Sequence, residues 1–129
     1  MTKTRVLIVD DDVNLSRLSA MILEHSGGYE VVTEKDSRRA ITVARQFRPE
    51  IMLLDVDMPE KSGGEIAQEA KSDPVLCNIP ILFLTGLVSK SEAGNEEVES
   101  GGMSFLAKPV LPEVLLACVN KLVGARAAA

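Results

Sequence analysis

The sequence contains few aromatic residues, histidines and cysteines. Its 129 residues include no tryptophan, one tyrosine, three phenylalanines, one histidine and two cysteines. Cys77 and Cys118 form no CxxC pair and have no histidine at a metal-ligand spacing, which argues against a zinc site or a disulfide framework. We expect two reduced, buried thiols. His25 also lacks a ligand-spaced partner, so its expected role is a favourable charge near a helix C-terminus.

Long apolar runs and clusters of basic residues are missing as well. The N-terminal segment MTKTRVLIVDDD has an apolar core of only four residues, which is too short for a signal peptide or a membrane span. We therefore expect a cytoplasmic protein with no membrane partner. Lysine and arginine number 14 against 19 acidic residues, the net charge is −5, and the basic residues are scattered. Direct binding to nucleic acid is not expected.

Strands and helices are predicted to alternate along the chain. Apolar runs at residues 6–9, 51–54 and 81–84 are continuous, as in parallel strands covered on both faces, and weaker candidates lie at 29–33 and 103–107. Apolar residues at helical spacing lie between the strands. These stripes are Leu15, Leu18 and Ile22; Ala40, Val43, Ala44 and Phe47; and Leu111, Leu115, Cys118, Val119 and Leu122. Residues 89–102 would form a fourth, marginal helix.

This alternation predicts an α/β fold with one parallel sheet between two layers of helices. Asp12 or Asn14 can cap the first helix and Asp36 or Ser37 the second, whereas Gly27 and Gly124 would follow helix ends. We expect one domain over residues 1–124, with residues 125–129 as a C-terminal tail or the start of a linker.

Acidic residues follow two of the predicted strands. Asp10 and Asp11 come after the first strand, and Asp55 ends the third. Because the carboxyl ends of parallel strands share one edge of the sheet, where ligands bind in such folds, these carboxylates should converge. A cation must offset their repulsion, and oxygen ligands of high charge suit Mg²⁺ that is completed by a phosphate.

Two further strand ends supply groups that suit phosphoryl chemistry. In LFLTG the apolar run is followed by Thr85, a hydroxyl donor, and in FLAKP it is followed by Lys108, a cation that can offset charge on an aspartate or a phosphoryl group. No glycine-rich loop follows the first strand, which disfavours a nucleotide or flavin site.

The four motifs VDDD, DVDMPEKSG, FLTG and GGMSFLAKP, in this order, closely resemble the receiver domain of two-component response regulators. The resemblance covers nearly the whole chain. It implies a doubly wound (βα)5 sandwich with five parallel strands in the flavodoxin-like order 2-1-3-4-5.

The resemblance also implies functions for individual residues. Asp55 would accept a phosphoryl group from a phosphohistidine on a sensor histidine kinase or a histidine phosphotransfer protein. Asp11 would bind Mg²⁺ directly and Asp10 mainly through water, with Asp55 and the backbone carbonyl of Asp57 completing the protein ligands. The protein would catalyse at most its own phosphorylation and dephosphorylation, so it is not expected to be an enzyme in the usual sense.

Thr85 and Phe105 would form the switch that the resemblance implies. Thr85 would move toward the phosphoryl oxygen and Phe105 would turn inward, which would reshape the face made by the fourth helix, fifth strand and fifth helix for an unknown downstream partner. Phe105 lacks the hydroxyl of the tyrosine that is frequent in the family, so its two states must differ by packing alone.

Three alternatives stay open at this point. The DxD of LLDVDMP is similar to that of haloacid dehalogenase-like phosphohydrolases, which would make the protein a Mg²⁺-dependent enzyme with an aspartyl-phosphate intermediate. The chain could instead be an inactive receiver that only docks a partner. It could also be the receiver fragment of a larger regulator with an effector domain.

Overall fold

A computed structural model of the chain describes residues 3–85, 98–100, 103–108 and 111–128. The strands are β1 (Thr4–Val9), β2 (Tyr29–Glu34), β3 (Ile51–Asp55), β4 (Ile81–Thr85), β5 (Val98–Ser100) and β6 (Met103–Ala107). The helices are α1 (Val13–Ser26), α2 (Ala40–Phe47), α3 (Gly63–Lys71) and α4 (Pro112–Ala128), and a 3₁₀ turn, Ser37–Arg39, precedes α2.

The sheet has the order β2-β1-β3-β4-β6-β5, in which every neighbouring pair is parallel except β5 and β6. The five predicted strands are β1, β2, β3, β4 and β6, so the doubly wound α/β class and the order 2-1-3-4-5 are confirmed. Each of these strands includes the apolar run that predicted it.

The prediction of a helix over residues 89–102 is wrong for residues 98–100. These residues form the edge strand β5, which pairs antiparallel with β6 through Val98 and Phe105, and through Ser100 and Met103. Only Gly101 and Gly102 connect Ser100 to Met103, and a Gly-Gly pair favours a two-residue hairpin over a helix. The rest of the predicted helix lies outside the described residues.

One hydrophobic cluster covers each face of the sheet. Side chains of β1 and β3 alternate between the two clusters, and none of the residues 6–9 or 51–54 is exposed. α2 and α3 pack on one face, through residues such as Ala44 and Ile66, whereas α1 and α4 pack on the other, through Leu23 and Leu115. This burial on both faces explains why the strands appear in the sequence as continuous apolar runs.

The predicted stripe of α1 matches its buried face only in part, since Ile22 is partly buried against the hydrophobic cluster and Leu15 is partly buried, but Leu18 is not. Leu18 is 52% exposed, whereas Ser16, Ser19 and Leu23 are buried. The inner face therefore includes two small serines, and hydropathy alone does not reveal such a face. Asp12 caps α1, since its side chain accepts a hydrogen bond from the backbone N–H of Leu15, and Gly27 follows its end with a φ of 81°, as predicted.

The C-terminal helix is longer than expected. α4 continues to Ala128 and includes Gly124, which was predicted to follow a helix end, and all but one of the residues of the expected tail. Leu111 precedes the helix and is 40% exposed, whereas Leu115 and Val119 are fully buried.

Neither cysteine forms a disulfide bond in the described structure, and only Cys118 is buried, since Cys77 is partly exposed. Within the described parts of the chain, no helix combines the length and the apolar character that crossing a membrane requires.

Candidate functional site

The predicted site residues lie at one edge of the sheet. Asp10 and Asp11 directly follow β1, Asp55 is the last residue of β3, and Thr85 is the last residue of β4. Lys108 directly follows β6, and its backbone N–H donates to the carbonyl of Thr85 at 2.9 Å, which extends the pairing of β4 with β6. Parallel pairing therefore brings together residues that are up to 98 positions apart.

Three carboxylates converge at this edge. Asp10, Asp11 and Asp55 each offer an oxygen atom, and these atoms all lie within 4.8 Å of one another. Asp10 is fully buried and Asp55 is 6% exposed, whereas Asp11 is exposed. Like charges this close repel one another unless a cation joins them, and an all-oxygen set with one side open to water suits Mg²⁺, which keeps several water ligands. The residues therefore fit the predicted ion.

Lys108 bridges two of the carboxylates. Its Nζ atom lies 3.0 Å from Oδ2 of Asp10 and 3.0 Å from Oδ1 of Asp55. The remaining oxygen of Asp10 accepts a hydrogen bond of 2.9 Å from the backbone N–H of Asp12. Both Asp10 oxygens therefore have protein partners, which fixes this buried side chain between the lysine and the start of α1.

The electrostatic environment shifts the pKa values of the central pair. Burial raises the pKa of the Asp55 carboxyl to about 6; the hydrogen bond from Lys108 opposes this rise and the charge of Asp10 adds to it. Burial lowers the pKa of Lys108, but its hydrogen bonds and charge interactions with Asp55 and Asp10 outweigh burial, so this pKa is raised overall. Lys108 therefore stays protonated at neutral pH, and Asp55 is mainly ionised there.

The predicted switch residues occupy the neighbouring strands. Thr85 is 2% exposed and lies at the end of β4. Phe105 lies on β6, is partly buried, and stacks on Phe83 of β4 with a ring centroid distance of 5.0 Å and an angle of 21° between the ring planes. The sequence predictions did not include Phe83 among the site residues, because its pairing with Phe105 follows only from the register of β4 with β6.

The segment from Val56 to Gly63 forms a loop that brings the start of α3 back against the end of β3. Asp57 is exposed in this segment, and Gly63 at the start of α3 donates its N–H to the carbonyl of Val56 at 3.2 Å. A Cβ atom on Gly63 would lie only 2.3 Å from the carbonyl oxygen of Asp55. Only glycine fits this approach of α3 to the end of β3.

Comparisons with known proteins agree with this geometry. The family model of the response regulator receiver domain matches residues 6–120. The polar-differentiation response regulator DivK of Brucella ovis is 29% identical over 111 residues, which is 85% of this chain and 87% of that protein. The chemotaxis protein CheY4 of Vibrio cholerae is 31% identical, with a TM-score of 0.79, and covers 94% of this chain and 99% of its own.

A response regulator from Chloroflexus aurantiacus is 27% identical, with a TM-score of 0.82 over 95% of this chain and 99% of its own. The family match spans most of the chain, including the strand ends that carry the carboxylates, the threonine and the lysine. The chain therefore belongs to the response regulator receiver domains of two-component signalling.

Proposed function

We propose that this receiver domain accepts a phosphoryl group on Asp55 from a phosphohistidine of a sensor histidine kinase or a histidine phosphotransfer protein. The observation that carries the proposal is the position of Lys108, whose ammonium group lies 3.0 Å from Asp55 and 3.0 Å from Asp10 at the rim where three carboxylates meet. A partly buried cation beside an acceptor carboxylate can offset the charge that phosphoryl transfer brings to this carboxylate.

The reaction needs little proton transfer. A carboxylate oxygen of Asp55 bonds to phosphorus, the P–N bond to the partner's histidine breaks, and the imidazole leaves with the electron pair of that bond and is then protonated. Asp55 has a pKa of about 6 and is mainly ionised at neutral pH, so no base has to activate it. Lys108 then offsets the negative charge of the new phosphoryl group.

Mg²⁺ is the proposed cofactor. Asp11 would bind the ion directly, Asp10 mainly through water, and Asp55 and the backbone carbonyl of Asp57 would complete the protein ligands. When bound, the ion neutralises negative charge on the carboxylates and on the phosphoryl oxygens. Asp11 is the exposed member of the acidic cluster, which supports a direct contact with an ion that arrives from solvent.

The proposed output is a change in the face around β6. Thr85 would donate its hydroxyl to the phosphoryl oxygen, and Phe105 would repack behind it against Phe83. The backbone hydrogen bond from Lys108 to Thr85 supports this coupling, because it joins the two strand ends that would respond. A downstream protein or an effector domain would bind the altered face, in agreement with the membership of this family.

The test is incubation with acetyl phosphate, with and without Mg²⁺, followed by intact mass spectrometry. The protein should gain one phosphoryl group only with Mg²⁺, and Asp55→Asn should gain none. Asp12→Asn is the matched control, because it also removes one carboxylate at this rim and retains a side chain that caps α1. This variant should still be phosphorylated.

The opposite outcomes point to the alternatives. No adduct in the presence of Mg²⁺ would favour a receiver that only docks a partner. Rapid consumption of acetyl phosphate without an adduct would favour a phosphohydrolase, which typically turns over at about 1 to 1000 per second.

A further inference from the structure

The loop between β3 and α3 is attached to the rest of the protein at three points. The backbone N–H of Val56 donates to the carbonyl of Leu84 at 3.1 Å, and Val56 in turn accepts from Gly63 at 3.2 Å, which closes the base of the loop. Met58 is 7% exposed and belongs to the hydrophobic cluster under α2 and α3. The third attachment is at the tip of the loop.

The tip is a tight turn with an unfavourable backbone conformation. The N–H of Lys61 donates to the carbonyl of Pro59 at 2.8 Å, which is the two-residue hydrogen bond of a γ-turn. Glu60, between them, has a φ of 72°. Residues other than glycine rarely adopt such a backbone angle. The strained conformation persists only where contacts with the surrounding structure hold it in place.

Ser37, which lies on another element, holds the strained turn in place through hydrogen bonds. It begins the 3₁₀ turn before α2 and is 4% exposed. Its hydroxyl donates to the carbonyl of Pro59 at 3.0 Å and accepts from the N–H of Lys61 at 3.2 Å. One side chain thus bonds to both ends of the γ-turn, across 22 and 24 positions of sequence, and to no other group in the described structure.

We propose that Ser37 is a positioning residue for the Mg²⁺ site, because it fixes the loop that places the Asp57 backbone beside Asp55. The inference rests on the proposed function, in which the Asp57 carbonyl is a ligand. Asp57 makes no hydrogen bond or ion pair with the rest of the described structure that would fix its backbone. Its position therefore depends on the base of the loop, on Met58 and on the tip that Ser37 holds.

The experiment measures Mg²⁺ affinity by titration calorimetry and the exchange rate of the Lys61 amide by NMR, in the intact chain. Ser37→Ala should weaken Mg²⁺ binding roughly fivefold to tenfold and speed exchange of the Lys61 amide by about the same factor, since it removes the two hydrogen bonds at the tip. Ser26→Ala is the control. It also removes a hydroxyl that donates to a backbone carbonyl, at 2.7 Å from Leu23, but at the far end of α1, and it should leave both values unchanged.

The same substitution in a Glu60→Gly protein distinguishes a positioning role of Ser37 from a general effect on stability. In Glu60→Gly the turn is no longer strained, so the additional Ser37→Ala change should weaken Mg²⁺ binding less than about twofold. An equal loss in both backgrounds would overturn the proposed role. If Ser37→Ala alone did not fold, a loss of Mg²⁺ affinity of about fivefold or more between Glu60→Gly and the double variant would overturn the proposed role.

The remaining outcomes distinguish this inference from the proposed function. A wild-type protein that binds Mg²⁺ and is phosphorylated, together with a Ser37→Ala variant of equal Mg²⁺ affinity, would overturn the inference alone. A wild-type protein that neither binds Mg²⁺ nor gains a phosphoryl group would overturn both.

Discussion

Asp55 is destabilising when it is ionised in the metal-free protein. Burial raises its pKa to about 6, so the folded state retains a proton on this carboxyl over a range in which the unfolded chain has lost it. A raised carboxyl pKa contributes stability below the unfolded value of about 4, and this stability is lost as the pH rises through the folded value. The Asp55 contribution therefore falls between about pH 4 and pH 7.

The first prediction compares wild type with Asp55→Asn, without Mg²⁺. The asparagine does not titrate. The free energy of unfolding of the wild type should therefore fall by about 2 kcal/mol relative to that of the variant between about pH 4.5 and pH 7.5. Urea denaturation at several pH values measures it. A difference that stays constant over this range would show that Asp55 does not titrate as the geometry indicates.

Gly63 and Gly64 provide a matched test of the loop closure. A Cβ atom on Gly63 would lie 2.3 Å from the Asp55 carbonyl oxygen, whereas one on Gly64 would meet only the Ser62 hydroxyl at 3.8 Å. Gly63→Ala should therefore lower the free energy of unfolding by about 2 to 3 kcal/mol and slow phosphorylation, since α3 must move away from the end of β3.

The substitution at the adjacent glycine, Gly64→Ala, should not be destabilising. Gly64→Ala should leave stability unchanged or raise it by up to about 1 kcal/mol, because alanine favours the helix. Thermal unfolding and the rate of reaction with acetyl phosphate measure both variants. Equal effects of the two substitutions would contradict the close approach at Gly63.

At the scale of whole elements, the five parallel strands were predicted from the sequence, and the edge strand β5 and several helix details were not. A strand that is buried on both faces has a continuous apolar run, so β1, β3 and β4 are evident, and the shared edge of parallel strands also predicts that Asp10, Asp55 and Lys108 meet. The buried face of α1 includes Ser16 and Ser19, which hydropathy does not identify.

Other features depend on contacts between distant residues. The edge strand β5 depends on pairing with β6, and a weak apolar pattern does not distinguish it from a marginal helix. The bonds of Ser37 to the loop after Asp55 span more than twenty residues, and a helix cap is the only function that its local sequence suggests. The contact of Ser37 with this loop has no signature in a single sequence.

The stack of Phe83 on Phe105 joins β4 to β6, the two strands of the proposed switch. Aromatic pairs contribute about 0.5 to 1.5 kcal/mol beyond their burial. A double-mutant cycle with Phe83→Leu and Phe105→Leu should give a coupling energy in this range, measured by urea denaturation. Phe47→Leu in place of Phe83→Leu is the control, since Phe47 packs against the same cluster from α2. A coupling no larger than in this control would show that the stack adds nothing to burial.

At the scale of the molecule, the acidic site exists only in the folded chain. Asp10 and Asp55 are 45 positions apart and Lys108 is 98 positions from Asp10, so unfolding separates all three. A ligand that binds the folded state alone raises the free energy of unfolding, by an amount set by its concentration relative to its Kd. A ligand that also binds the unfolded chain would stabilise the folded protein less.

The last prediction follows from this coupling of binding to folding. Mg²⁺ at a hundred times its Kd should raise the free energy of unfolding by about 2.7 kcal/mol, because it binds only where the carboxylates converge. Asp11→Asn should lose most of this increase. Asp12→Asn should keep it, since the two variants carry the same charge and only Asp11 belongs to the cluster. Equal loss in both variants would mean that Mg²⁺ responds to the overall negative charge of this rim, and equal retention would remove Asp11 from the ligands.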